Sequence, residues 1–156
     1  LLNRKFLPVV LRREIDYCRE RHANFALLSL DVDYFKQIND RFGHEGGDLV
    51  LQQLAVILSS ACRAGDYTFR LGGEEFLLLL VDIDLQRALA LAERLRAQVE
   101  KEAFRLPGDG RVPVTVSIGV AMHNGHPDYQ YTVRQSDQAL YAAKNAGRNR
   151  AERAGD

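Results

Sequence analysis

Two short acidic segments carry the residue types from which a site for a divalent cation and a phosphate could be built. Asp31 and Asp33 follow the apolar run 25–30, and Glu74 and Glu75 follow a pair of glycines. Carboxylate oxygens are the ligands that hard cations such as Mg²⁺ take in proteins. If the run 25–30 is a buried strand, Asp31 and Asp33 leave its end on the same side. Because an unpaired carboxylate is costly there, Asp31 requires a cation or a hydrogen-bond donor.

These acids also have ordinary structural interpretations. A Gly-Gly turn followed by Glu is common, and an Asp after a strand often forms a turn or caps a helix, so Asp33 stays open between the two interpretations. Lys36 and Arg70 lie beside the two acidic segments. The sequence has neither a G-x-x-x-x-G-K-[ST] motif nor a G-x-G-x-x-G motif. We therefore expect a triphosphate to be held through bound metal rather than by a glycine-rich phosphate loop.

The elements that would position these groups alternate between strand and helix. Segments 67–71 and 76–81 predict two strands joined by a tight turn at Gly72-Gly73, because glycine takes positive φ without steric cost. Further strands are predicted at 25–30 and 112–122, with a loop at 106–111 and helices at about 4–21, 35–41, 47–64, 84–101 and 131–146. The first helix has Asn3 as its cap and an apolar stripe of Leu7, Val10, Leu11, Ile15 and Cys18. This pattern predicts one α/β domain with a mixed central sheet flanked by helices.

Composition narrows the classes of function. A chain of 156 residues suffices for one domain with a real core. The 21 basic and 21 acidic residues cancel, which argues against nucleic acid as a partner. Cys18 and Cys62 are isolated thiols, which suits a reducing cytoplasm, and no apolar stretch or signal peptide predicts membrane contact. The first residue is Leu1 rather than Met, so we expect a domain excised from a longer protein.

The chain resembles the GGDEF domain, the catalytic domain of bacterial diguanylate cyclases, in its Gly-Gly-Glu-Glu-Phe variant at 72–76. The resemblance covers nearly all of residues 1–156. Besides the hairpin, it rests on Leu2-Asn3-Arg4, Asp31 to Asp40, Gly43-His44, Gly47-Asp48, Val116 to Val120, Ala139 to Lys144 and Gly147 to Arg150. A single five-residue match is weak, whereas this many motifs in family order are specific. The resemblance implies a sheet of about five strands, like that of other nucleotidyl cyclases.

The resemblance also implies a reaction. Two GTP molecules would be condensed into cyclic di-GMP with release of two pyrophosphates, across a homodimer in which two domains face each other with half an active site each. Asp31, the Val32 carbonyl, Glu74 and Glu75 would hold two Mg²⁺ ions per half-site, with Mn²⁺ able to substitute. Lys36 would stabilise charge on the phosphates, Glu74 would accept the proton of the attacking hydroxyl, and Glu75 would be a further catalytic residue.

Family positions further imply how GTP is held. Asn39 and Asp48 would bind the guanine, and Arg70, Lys144 and Arg148 would complete the substrate site, with the last two on the terminal phosphates. Taken alone, Asn39 is explained as a helix-terminating residue and Asp48 as an acid at a helix N-terminus. Lys144 and Arg148 are explained as solvated cations near a helix C-terminus.

An R-x-x-D segment precedes the glycine pair by five residues. In the family this segment binds the product and inhibits the enzyme, so the resemblance implies that Arg63 and Asp66 hold guanine of cyclic di-GMP, with Arg94 assisting. An arginine can donate two bonds to the O6 and N7 atoms of guanine. The structural alternative is a last-turn Arg, a glycine cap at Gly65 and an acid in the turn.

The segment 123–129 resembles that of cyclases fused to a haem-binding globin oxygen sensor. We therefore expect an N-terminal sensor and dimerisation region in the full protein, with haem only in that region. The family motif usually begins with an Asp a few residues before Leu1. The competing hypothesis is a catalytically silent GGDEF domain that binds GTP or cyclic di-GMP, and Asn39 and Asp48 argue against a cyclase that acts on ATP.

Overall fold

Eight strands and four α-helices make up the computed structural model, which describes residues 1–155. In chain order the strands are β1 (Leu2–Asn3), β2 (Phe25–Val32), β3 (Tyr67–Gly72), β4 (Glu75–Val81), β5 (Ala103–Arg105), β6 (Arg111–Pro113), β7 (Val116–Met122) and β8 (Arg150–Arg153). The central sheet has the order β1-β3-β4-β2-β7-β8, and β5 and β6 form a separate ribbon. β2 is antiparallel to β4 and β7, whereas β8 is parallel to β7, so the sheet is mixed.

The helices cover both faces of this sheet. They are α1 (Leu7–Arg21), α2 (Phe35–Ala61), α3 (Leu85–Lys101) and α4 (Tyr129–Asn145). Alternate residues of β2 point to opposite faces: Leu28 and Leu30 join the core under α2 and α3, whereas Phe25 and Leu27 pack with α1. The same alternation directs Asp31 to the face that α1 and α4 cover.

The structure confirms the predicted fold class and corrects several element boundaries. The sheet has six strands rather than about five, because the two-residue β1 pairs with β3 and because β8, which was not predicted, pairs with β7. The predicted strand 112–122 divides into β6 and β7, since the first part pairs with β5 and the second with β2. Asn3 caps a short 3₁₀ turn, and α1 starts only at Leu7, with its predicted apolar stripe buried.

The helices predicted at 35–41 and 47–64 are two arms of α2. They meet at Gly43, whose φ of 75° and ψ of 172° interrupt the helix. The second arm ends at Ala61, before the predicted boundary, and Gly65 lies in the following turn with φ of 95°. Only glycine adopts such angles without strain. The interruption lets the two arms cross closely, which shapes one part of the site described below.

Helix α4 lies directly on the sheet because the contact is made by small residues. A Cβ atom added at Gly119 of β7 would lie 2.1 Å from the Leu140 nitrogen and 2.3 Å from the Ser136 oxygen. The Ser136 hydroxyl also forms a 2.8 Å hydrogen bond with that of Ser29 in β2. These contacts set the distance between α4 and the sheet. They thereby also determine the position of Lys144 near the end of the helix.

The loop between β7 and α4 is held by its own aromatic contacts. His123 is buried and stacks on Phe25, with ring centroids 4.5 Å apart, and burial lowers the pKa of this histidine. His126 stacks on Tyr131 at the same separation. Packing against neighbouring aromatic rings therefore accounts for the presence of both histidines in the segment 123–129.

No helix within residues 1–155 combines the length and the apolar character needed to cross a bilayer. Cys18 is buried, Cys62 is half-buried, and both are free thiols. Burial raises the pKa of Cys18 to about 11, which keeps this thiol protonated and unreactive near neutral pH.

Candidate active site

The acidic hairpin lies next to the end of β2 because of strand register. In the antiparallel β2–β4 pair Asp31 is opposite Glu75, so the start of β4 adjoins the end of β2. The turn is formed by Gly73 and Glu74, one residue later than predicted, since Gly72 still belongs to β3. Arg70 stabilises this turn by donating from Nε to the Gly73 oxygen at 3.1 Å.

Asp31 is the most constrained group of the site. Its side chain is only 8% exposed, and Oδ2 accepts a hydrogen bond from the Lys144 ammonium. Oδ1 is buried and has no hydrogen-bond partner among the described residues. Burial raises the pKa of Asp31; Lys144 opposes this effect, while Glu74 and Glu75 add to it. A buried, partly unsatisfied carboxylate beside two further acids is an arrangement that a cation would stabilise.

The side chains at this end of the sheet are of types that can bind a divalent metal ion. Within residues 1–155, no three acidic, histidine or cysteine side chains are already grouped tightly enough to hold a metal ion. However, Asp31 Oδ1 needs a partner, Glu74 is half-buried and Glu75 is exposed, so both glutamates can turn toward it. Lys144 supplies the positive charge in the present arrangement. Asp31, the Val32 carbonyl and the two glutamates would thus be the holding groups.

Asp33 lies in the turn after β2, as one interpretation of the sequence had it, but its carboxylate has a further structural role that the sequence did not indicate. Its buried carboxylate accepts hydrogen bonds from Thr115 Oγ1 at 2.7 Å, Ser117 Oγ at 2.6 Å and the Asn149 backbone N–H at 2.9 Å. The residue at the start of α2 is Tyr34, not Asp33, and it makes no side-chain cap. Asp33 therefore clamps the end of β2 to β7 and to the turn before β8.

The predicted phosphate-binding cations surround the same end of the sheet. Lys144 lies in the last turn of α4, and Arg148 follows in the turn before β8 with φ of 64°. The Arg148 guanidinium carbon lies 4.8 Å from the centre of the Tyr34 ring. Lys36 is exposed in the first turn of α2 and makes no hydrogen bond or ion pair with the described residues.

The two predicted guanine-binding residues are brought together where the arms of α2 cross. A Cβ atom at Gly47 would lie 1.8 Å from Asn39 Oδ1, so the Asn39 side chain rests against the Gly47 backbone. Gly47 precedes Asp48, which is exposed. The absence of a side chain at Gly47 thus places an amide and a carboxylate on neighbouring parts of one surface.

The predicted inhibitory segment lies at the opposite end of β4. The Asp66 side chain is 2% exposed, and its oxygens accept from the Arg63 backbone N–H at 2.8 Å and the Val81 N–H at 2.9 Å. Arg63 is 57% exposed, and Arg94 is exposed on α3. The Arg63 guanidinium donates to the Val81 oxygen and its Nε lies 3.7 Å from Asp66 Oδ2. A ligand can therefore reach its remaining N–H groups, whereas contact with Asp66 would require the turn to rearrange.

Sequence reasoning missed the network around Asp33 and assigned no role to Tyr34. The partners of Asp33 lie 82 to 116 positions away, so their proximity depends on strand register. The one sequence feature that could have indicated these roles is that Tyr34 and Asn149 lie inside segments that resemble family motifs.

Known proteins share this architecture. Residues 1–150 match the family described as "Diguanylate cyclase, GGDEF domain". Diguanylate cyclase DosC of Escherichia coli (strain K12) is 42% identical over 152 residues, which cover 97% of this chain and 33% of DosC. The chain thus spans about a third of the length of this curated relative.

Two solved structures show the likeness in three dimensions. The GGDEF domain of DgcB from Caulobacter crescentus, in complex with c-di-GMP, has a TM-score of 0.95 and 30% identity, covering 100% of this chain and 90% of that one. The active GGEEF domain of a diguanylate cyclase from Vibrio cholerae has a TM-score of 0.92 and 34% identity, covering 100% and 99%. Together with the match over residues 1–150, these similarities show that the chain belongs to the GGDEF diguanylate cyclase domain family.

Proposed function

We propose that this domain is a diguanylate cyclase that condenses two GTP molecules into cyclic di-GMP and two pyrophosphates. The observation that carries the proposal is the unpartnered, buried Oδ1 of Asp31, set among Glu74, Glu75 and Lys144 where β2 ends and β4 begins. The relatives support it: DosC is named a diguanylate cyclase, and the Vibrio cholerae domain with a Gly-Gly-Glu-Glu-Phe hairpin is described as active.

Each group of the site has a task in this reaction. Mg²⁺ held by Asp31, the Val32 carbonyl, Glu74 and Glu75 would neutralise the triphosphate and help activate the attacking 3′-hydroxyl. Glu74 accepts the proton of that hydroxyl. Lys36 stabilises charge that develops on the phosphates. Lys144 and Arg148 bind the terminal phosphates. To make this contact, Lys144 leaves the Asp31 carboxylate.

The glycine hairpin supports close approach of the nucleotide. Gly72 does not have a positive φ, and a Cβ atom added there would meet nothing within 4 Å. The fold itself therefore does not require glycine at this position. Glycine also occurs where a ligand lies directly against the backbone. We propose that this explains Gly72, with GTP as the ligand.

The main test is product formation from GTP and Mg²⁺, followed by chromatography and mass spectrometry. Asp31→Asn and Glu74→Gln keep side-chain shape and should lower the rate more than about 100-fold, since even indirect partners of metal ligands contribute 10- to 100-fold. Asp109→Asn, an exposed acid in the β5–β6 loop, is the matched control and should retain the full rate. Turnover like that of the parent domain in Asp31→Asn would exclude the metal assignment.

Each domain supplies half of the active site, so the attacking hydroxyl comes from GTP held by a second copy. Specific activity should therefore rise with protein concentration, because two copies must meet. A constant specific activity across a wide dilution series, with the protein monomeric throughout, would contradict the facing homodimer.

The base is selected by Asn39 and Asp48. The Asp48 carboxylate accepts from the N1–H and N2–H groups of guanine, whereas adenine leaves it unpaired. Asp48→Ala should lose most of the preference for GTP over ATP in calorimetric titration. Equal binding of both nucleotides to the unsubstituted domain would refute the guanine pocket.

Product inhibition is assigned to Arg63, with Asp66 shaping the turn that presents it and Arg94 assisting. Because Arg63 lies at the far end of β4 from Glu75, cyclic di-GMP bound there would slow turnover by keeping two domains from facing each other. Arg63→Ala should weaken product binding by about 1 to 3 kcal/mol and leave initial rates unchanged. Equal product affinity in both proteins would remove this assignment.

The second candidate function is a silent module that binds GTP or cyclic di-GMP, and binding of either without product formation would favour it. The cytoplasm, where free thiols such as Cys18 and Cys62 persist, is the proposed location. An N-terminal sensor and dimerisation region, with haem confined to it, remains a prediction for the full protein.

A further inference from the structure

Tyr34 has a backbone conformation that bulky residues rarely adopt. Its φ of 56° and ψ of 34° are left-handed, and the residue is 55% exposed. Such angles cost free energy for a residue with a large side chain and persist only where neighbours enforce them. Here the neighbour is Asp33, whose carboxylate is fixed by three hydrogen bonds. The chain thus retains strain to present an exposed aromatic ring beside the phosphate-binding cations.

Arg148 faces this ring from a second left-handed position. Its φ is 64°, and its backbone N–H donates to the Ala143 oxygen at 3.0 Å. The next residue, Asn149, donates its backbone N–H to Asp33. Tyr34 and Arg148 are therefore adjacent in sequence to the two ends of one part-buried hydrogen bond, which brings the ring and the guanidinium together.

Among residues 1–155, the Tyr34 ring is the only partner of the Arg148 side chain. The guanidinium carbon lies 4.8 Å from the Tyr34 centroid, and no carboxylate within residues 1–155 forms an ion pair with Arg148. A cation is attracted to the face of an aromatic ring, while its N–H donors point outward in the guanidinium plane. An acidic partner would occupy those donors and compete with an incoming phosphate. A neutral ring orients the cation and leaves the donors free.

We propose that Tyr34 is a positioning residue that holds Arg148 against its ring, so that the free guanidinium edge is already aimed at the terminal phosphate when GTP binds. This inference rests on the proposed function, in which Arg148 binds that phosphate. Tyr34 itself need not touch the nucleotide. Its contribution is preorganisation, because a long side chain that is already ordered loses less entropy on binding.

Binding can be measured without turnover by using 3′-deoxy-GTP, which lacks the attacking hydroxyl. Calorimetric titration of 3′-deoxy-GTP with Mg²⁺ should give the same Kd for Tyr34→Phe as for the parent domain. Tyr34→Ala should raise Kd about two- to fivefold, the range of an exposed cation–π contact. The effect on 3′-deoxy-GDP should be smaller, because it lacks the terminal phosphate. Tyr141→Ala, which removes a 68% exposed tyrosine on α4, is the control and should leave Kd unchanged.

A double-substitution cycle tests whether Tyr34 acts through Arg148. Tyr34→Ala should add nothing to the loss of affinity that Arg148→Ala causes. An additive loss, an equal loss in Tyr34→Phe, or an unchanged Kd in Tyr34→Ala would each overturn the proposal. Incubation of the parent domain with GTP is the separate test of activity: absence of cyclic di-GMP refutes the proposed function, whereas the binding data still decide the role of Tyr34.

Discussion

Replacing Asp33 by alanine should destabilise the domain strongly, although Asp33 is not among the proposed metal ligands. The carboxylate accepts three hydrogen bonds, from two hydroxyls and the Asn149 backbone N–H. The hydroxyls can rotate to other partners, whereas the backbone N–H cannot. One unsatisfied N–H costs about 1–3 kcal/mol and each lost hydroxyl bond about 1 kcal/mol, so we expect a loss of about 3–5 kcal/mol.

The assay is urea unfolding followed by circular dichroism, together with thermal unfolding. A loss of about 3–5 kcal/mol corresponds to a fall in Tm of roughly 6–20 °C, at about 2–4 °C per kcal/mol for a domain of this size. Asp33→Asn retains one acceptor oxygen and should lose roughly half as much free energy as Asp33→Ala. Asp109→Ala removes an exposed acid and should stay within about 0.5 kcal/mol of the parent domain.

An unfolding free energy for Asp33→Ala within about 0.5 kcal/mol of the parent value would refute this reasoning. It would mean that the clamp between β2, β7 and the turn at Asn149 contributes nothing to folding. A large loss in Asp33→Ala with an equal loss in Asp109→Ala would point to general electrostatics rather than to the clamp.

Packing and burial also determine how the domain should respond to substitutions at other positions. Gly119→Ala should prevent α4 from packing on β7 and so abolish or severely weaken folding, whereas Gly72→Ala should leave stability unchanged and weaken GTP binding. His123 is buried with a lowered pKa, so stability should fall as pH drops below about 6.5, where the unfolded chain takes up the proton first; His123→Phe should lack this decline in urea titrations. Asp66→Ala should cost about 2–6 kcal/mol because two backbone N–H groups lose their acceptor, whereas Arg63→Ala should cost less than about 1 kcal/mol.

Each expected outcome can be contradicted by one measurement. A Gly119→Ala domain as stable as the parent, or a Gly72→Ala domain with unchanged GTP affinity, would contradict the packing argument at that position. Parallel pH profiles for the parent domain and His123→Phe would show that this histidine titrates alike in the folded and unfolded chains. Equal stability of Asp66→Ala and the parent domain would show that the Asp66 carboxylate is dispensable for the turn.

Local sequence features predicted the end of β2 and the start of β4 to within two residues. The apolar run 25–30 and the glycines before Glu74 indicate where each strand meets solvent, although β2 continues through Asp31 to Val32 and β4 already starts at Glu75. The contact between Asp31 and Lys144 could not be derived in this way. It joins residues 113 positions apart and depends on how closely α4 approaches Gly119.

The functions of the buried acids depended on long-range register. Asp33 and Asp66 both stand in turns where a solvated or capping role is usual, and the sequence offers no sign that either is buried. Asp33 acquires its partners when β7 pairs with β2. Asp66 accepts from the nearby Arg63 N–H and gains the distant Val81 N–H only when β4 pairs with β3. Such roles emerge only once the strands are aligned.

The strand β4 separates the two ends of the domain as a stiff spacer. Its seven residues span about 20 Å from Glu75 to Val81, and residues 76–80 are buried in the middle of the sheet. Because a close-packed strand does not deform continuously, we expect a ligand near Arg63 to leave the carboxylates at the other end of β4 in place. Inhibition would then be a matter of rigid-body placement: the inhibited and active states would have the same interior and differ only in how whole domains are oriented toward each other.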